Sequence, residues 1–86
     1  MNNIFVGDVV KSVAGRDKGK FMLVIAVGER ITVIDGKLRR VSTPKQKNPK
    51  HLIKVKNSAL VELAEKIRNK QAVGNDRVKK ALKTVL

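Results

Sequence analysis

The sequence predicts a mostly β fold, a small five-stranded antiparallel barrel followed by a helical hairpin. Three observations predict it. Short runs rich in Val and Ile, punctuated by Gly, Pro and Asp, recur from Ile4 to Val55. The connections between them are mostly tight, which makes neighbouring strands antiparallel, and a sheet this small curls to protect its edges. Beyond Asn57 the apolar spacing changes to that of a helix face.

The elements follow in order. Ile4 to Val13 is the first strand, with a bend or bulge at Gly7-Asp8. Gly15-Arg16-Asp17-Lys18-Gly19-Lys20 connects it to Phe21–Val27, a continuous apolar run of strand length. Gly28-Glu29 turns the chain into Ile31–Ile34, a β-branched strand. Asp35-Gly36 is a hairpin dipeptide, because glycine takes the positive φ of a tight turn. Lys37–Val41 then alternates basic and apolar residues around Leu38, a fourth strand with a charged face. Ser42–Lys50 reads as a loop stiffened by Pro44 and Pro49. His51–Val55 is the fifth strand.

In the last third, Leu60, Leu63, Ala64 and Ile67 mark one face of a helix. Asn57 or Ser58 is placed to cap it. Glu62 and Glu65 come early and Lys66, Arg68 and Lys70 late, as the helix dipole favours. Gly74 breaks the pattern. Asn75 or Asp76 then caps a second helix with Val78, Ala81, Leu82 and Val85 on one side and Lys79, Lys80 and Lys83 mainly on the other. The organisation is a barrel over residues 1–57 and a two-helix extension over residues 58–86.

Charge dominates the composition. Among 86 residues, twenty Lys and Arg face seven Asp and Glu, a net charge of +13. Such self-repulsion favours a polyanionic partner. Residues 1–36 carry a net charge of only +1, residues 37–57 carry +8 with no acidic residue, and residues 58–86 carry +4. The middle segment is therefore the expected contact region.

Several classes are disfavoured. Cysteine is absent, so no disulfide or thiolate metal site can form. His51 is the only histidine and lacks clustered carboxylates, which leaves it without partners for a metal. It stands where loop meets strand and suits a hydrogen bond that fixes the loop's return, with RNA contact as the alternative. Ser12, Ser42 and Ser58 have only His51 as a base and no third group to orient it, so an enzyme is not expected. "GRDKGK" lacks the spacing and the Ser/Thr of a P-loop, and no cofactor motif is present. The N-terminal "MNNIFVGDVV" does not read as a secretory signal. "FMLVIAV" is too short to span a membrane, and no basic amphipathic helix with aromatic anchors suggests membrane binding. The expectation is a soluble intracellular protein, monomeric when free.

The loop between the first two strands carries a resemblance. A strand, a loop ending in glycine and a second strand resemble the KOW motif, spanning Val9 to Asp35 with Gly19 at the motif's glycine. "VGDVVKSVAGRDKGKFMLVIAV", "IDGKLRRV" and "KNPKHL" together are similar to the KOW large-subunit ribosomal proteins of archaea and eukaryotes of the fourteen-e type. They are more similar still to short bacterial KOW-domain RNA-binding proteins. The resemblance covers residues 6–55, with a weaker likeness at "NDRVKKAL", and the helical hairpin departs in length from the archaeal pattern. It implies an SH3-like barrel that binds ribosomal RNA of the large subunit beside neighbouring ribosomal proteins, in a cytoplasmic, ribosome-associated setting.

The residues point the same way. Gly15 and Gly19 lack a Cβ, so the backbone there can approach a phosphate closely, and Arg16, Lys18 and Lys20 supply charge around that approach. Asp17 opposes an anion and is expected to brace the loop against Arg16 or a backbone amide. Arg39 and Arg40 suit bidentate phosphate contacts. Lys37, Lys45, Lys47 and Lys50 add point charges, and His51 completes the set. Phe5 and Phe21, the only aromatic residues, are expected in the core. That would leave no stacking platform for bases, so recognition would rest on phosphates, 2′-hydroxyls and RNA shape. Two other classes remain open: a protein-binding or transcription-associated KOW module, and a general nucleic-acid-binding barrel. For the first, Leu60, Ile67, Val78 and Leu82 would face a partner, although packing on each other and on the barrel is the expected use.

Overall fold

A computed structural model describes residues 3–86. Five strands form one antiparallel sheet: β1 (Val9–Ser12), β2 (Phe21–Val27), β3 (Ile31–Ile34), β4 (Lys45–Lys47) and β5 (Leu52–Lys56). A short 3-10 turn, Pro49–His51, joins β4 to β5, and two helices follow, α1 (Val61–Arg68) and α2 (Asn75–Val85). The strand order is β4-β3-β2-β1-β5. The two outer strands do not pair with each other, so the sheet is open where a closed barrel was expected.

The uninterrupted apolar run of β2 has a simple cause. Its alternate residues enter two cores, one on each face of the sheet. Leu23 and Ile25 join Val9 and Ile34 against the helices, packing on Leu63, Ala64, Ile67, Val78 and Leu82. Met22 and Val24 join Ile4, Val10, Ile31, Val33 and Leu52 on the opposite face. The helical periodicity thus placed the apolar faces correctly: Leu63, Ala64, Ile67, Val78 and Leu82 are buried against the sheet, with Leu60, Ala81 and Val85 at its margin.

The fourth strand is displaced from its expected position. Lys37–Val41 is a loop, and β4 lies within the segment expected to be one. Asp35 is the reason. Its Oδ1 accepts from the backbone N–H groups of Lys37 and Arg39, both at 2.8 Å. The N–H groups of Asp35 and Gly36 in turn donate to Arg39 O. Residues 35–39 therefore satisfy one another locally, and a side-chain acceptor replaces the strand ladder.

The first strand is shorter than expected. Regular pairing stops at Val9, although Gly7 N–H still donates to Val24 O at 2.9 Å and Val24 N–H to Asp8 O at 3.0 Å; the chain leaves the sheet beyond Asp8, which is fully buried. Its carboxylate accepts from Phe5 N at 2.7 Å and Ser58 N at 2.6 Å and faces Lys54 Nζ at 3.1 Å. The helix starts also differ. Leu60 and Gly74 occupy the cap positions, neither with a side-chain cap. Ser58 adopts a positive φ of 51°, and Asn75 Oδ1 instead accepts from Val41 N at 2.8 Å. Asn75 thus ties the 35–41 loop to the start of α2.

Candidate nucleic-acid interface

Strand register puts several basic segments at one end of the sheet. Lys11 pairs with Phe21, Leu23 with Ile34, and Ser12 with Leu52. The end of β1, the start of β2, the end of β3 and the start of β5 therefore lie together. So do the segments that flank them, 13–20, 35–41 and 48–51. Val13 N donates to His51 O at 2.9 Å and closes two of these segments on each other.

The 13–20 loop is rigidly built. Ser12 N–H donates to Lys20 O at 3.0 Å and Gly19 N–H to Ser12 O at 2.7 Å. Gly15 and Gly19 have φ of 85° and 88°. A Cβ on Gly19 would meet nothing within 4 Å, so the backbone angle, not lack of space, calls for glycine there.

At the loop's centre Asp17 is buried. It does brace the loop, but not through Arg16. Its Oδ1 lies 2.6 Å from Lys47 Nζ and 2.8 Å from Ser12 Oγ. Lys47 Nζ also donates to Ser12 Oγ and to Ala14 O, each at 3.1 Å, so its three protons meet three oxygens. Burial pushes the Asp17 carboxyl up. The Ser12 and Lys47 hydrogen bonds and the Lys47 charge outweigh it and hold the group below its ordinary value. Its Oδ2 faces Arg39 Nε at 3.9 Å, and both atoms are buried without a hydrogen bond. One carboxylate thus gathers the β1–β2 loop, β4 and the 35–41 loop.

The expected site residues divide accordingly. Arg16, Lys18 and Gly19 are exposed on the β1–β2 loop, and Lys20 is half-buried at its end. Lys37 and Arg40 are exposed on the 35–41 loop, and Arg39 is half-buried beside Asp17. Lys45, Lys50 and His51 are exposed at the start of β4 and in the 3-10 turn. Lys47 is different: 7% exposed and bound in the ion pair, it is not a surface point charge. The sequence hid this because a Lys-Gln-Lys strand carries no burial signal. Asp17, an acid among Arg16 and Lys18, was the one local hint of a bracing contact, and it did not point to Lys47.

Gly36 fixes the 35–41 loop against α2. Its φ is 81°, and a Cβ there would collide with the Asn75 carbonyl. The docking brings α2 beside the basic end. Lys79 and Lys83 line one groove with Lys20, Lys37 and Phe21. Helix lysines therefore extend the basic surface, which a reading centred on residues 37–57 missed.

The phenylalanines are not core residues. Phe5 is 59% exposed and Phe21 37%. Lys54 Nζ stands 5.2 Å from the Phe5 ring centre and Lys11 Nζ 5.7 Å from that of Phe21. Phe5 precedes the ladder, where Asp8 binds its N–H. Phe21 opens β2 at the margin of the helix-covered face.

Among the described residues, no group of three or more His, Cys, Asp or Glu could hold a metal ion, and no helix is long and apolar enough to cross a membrane. No protein-family model and no curated protein matches the chain.

Proposed function

We propose that this chain is a KOW-type RNA-binding protein that engages folded ribosomal RNA of the large subunit through the basic end of its sheet. In this reading the open, curled sheet is an SH3-like barrel whose closure is made by side chains. The observation that carries the reading is the convergence on Asp17. One buried carboxylate ties together the segments bearing Arg16, Lys18, Arg39 and Arg40, and cancels only part of their charge. A braced loop with solvated cations around it suits phosphates better than an apolar partner surface. The resemblance in residues 6–55 supplies the ribosomal context.

Arg40 and Lys37 make the first phosphate contacts, with Arg16, Lys18, Lys45 and Lys50 around them. Arg39 has its Nε turned to Asp17, and the remainder of its guanidinium supplies the third element of the grip. Competition between a folded ribosomal RNA fragment and duplex DNA of equal length, at equal salt, tests the reading. Preferential displacement by the RNA supports it. Equal displacement reduces the protein to a general polyanion binder.

A further inference from the structure

A groove of about 230 Å³ lies between β2 and α2 at the basic end. Phe21 and Leu82 form its apolar wall. Lys20, Lys37, Lys79 and Lys83 also line it, from three different segments of the chain. Asp35 is the one carboxylate in the lining, and its Oδ1 is taken up by two backbone N–H groups. Lys79 pairs with Asp76 at 3.3 Å, but both side chains are solvated and the pair is easily exchanged for a phosphate. Lys11, which stands over the Phe21 ring, is not part of the lining.

We infer that this groove takes one unpaired nucleotide of RNA, its base on the Phe21 ring and its flanking phosphates on the surrounding lysines. The proposal rests on the RNA-binding reading and adds a preference that the phosphate contacts alone do not give. The occupant follows from the chemistry. A planar apolar face next to several ammonium groups complements a base joined to phosphates. The groove is shallow and open, which admits a base still joined to its neighbouring nucleotides. A partly exposed phenylalanine beside several lysines also has a reason to be exposed, since burying it would remove the stacking surface.

The test uses a short RNA hairpin with one unpaired 2-aminopurine in its duplex, beside the same hairpin fully paired. The full chain is expected to bind the first about ten-fold more tightly, in line with one base–aromatic stack, and to quench the 2-aminopurine emission. Phe21→Leu is expected to remove the preference and the quenching. Phe5→Leu, which alters the other exposed phenylalanine, is expected to retain both. Thermal melting of each variant checks that the fold is kept. Equal binding of the two hairpins by the unaltered chain overturns the base site and leaves the phosphate reading standing. Binding of neither hairpin overturns both. Loss of the preference in Phe5→Leu but not in Phe21→Leu overturns the assignment to this groove.

Discussion

Lys47 and Asp17, thirty positions apart, form a buried ion pair 2.6 Å long between the outer strand β4 and the β1–β2 loop. In the sheet β4 pairs only with β3, and this ion pair adds a side-chain tie from it to the β1–β2 loop. Removing one member of a buried pair leaves the other charged and unpartnered, at a cost of about 3–5 kcal/mol. Lys47→Met and Asp17→Ala should each destabilise the chain by roughly that amount. The double variant should cost clearly less than the two together, because neither member of the pair is left buried without the other. Denaturant unfolding of the four proteins measures this, and additive losses would mean that the pair is not coupled.

The same pair predicts a pH dependence. The Asp17 carboxyl lies below its ordinary value of 3.8 in the folded chain. The unfolded state therefore binds more protons between the two values, and stability falls as pH falls. The contribution is complete well above 3.8 and is lost as pH drops through the lowered folded value. Unfolding midpoints should be flat near neutrality and decline below about pH 5. Asp17→Asn should start from lower stability at neutral pH and show a shallower acid decline. An acid limb unchanged by Asp17→Asn would assign the decline to other carboxylates.

Gly36 links the basic loop to the helices. Gly36→Ala forces a Cβ into the Asn75 carbonyl and a left-handed φ onto alanine. The backbone angle alone costs about 1–2 kcal/mol, and the collision adds to it. RNA affinity should fall with stability, because Lys37 and Arg40 ride on the displaced loop. Gly19→Ala meets the same backbone penalty without a collision, so melting should show the smaller loss there. Equal losses would show that the Gly36–Asn75 approach is not a constraint.

Position should matter more than net charge. Lys37→Ala with Arg40→Ala and Lys66→Ala with Arg68→Ala each remove two charges from exposed sites. The first pair should weaken RNA binding by at least ten-fold and lower the slope of log affinity against log salt by about 1.4–1.8. The second pair, on α1, should change either quantity much less. Equal effects would mean that RNA senses only total charge.

How far the sequence revealed these features depended on which interactions decide them. β2 and both helix faces were legible because burial sets them, and burial leaves an apolar pattern. The 35–41 loop was not legible as a loop. The alternation in Lys37–Val41 is genuine, but Asp35 Oδ1 takes the N–H groups of Lys37 and Arg39 that a strand would use. Lys47 and Asp8 were hidden for a related reason, since nothing in a charged residue's neighbours tells that its partner lies thirty or fifty positions away. The basic loop itself was legible from composition and its two glycines. Its extension by Lys79 and Lys83 was not, because it depends on how α2 docks. General burial tendency misplaced Phe5, which precedes β1, and Phe21, which opens β2 where α2 covers it only in part.

The central claim is that the basic end recognises a ribosomal site, not merely negative charge. Sedimentation of the tagged protein from lysate on sucrose gradients, at low and at moderate salt, tests it most directly. The account predicts comigration with the large subunit at both salt concentrations. Protein that remains at the top of the gradient, or leaves the subunit at the first increase in salt, would contradict it.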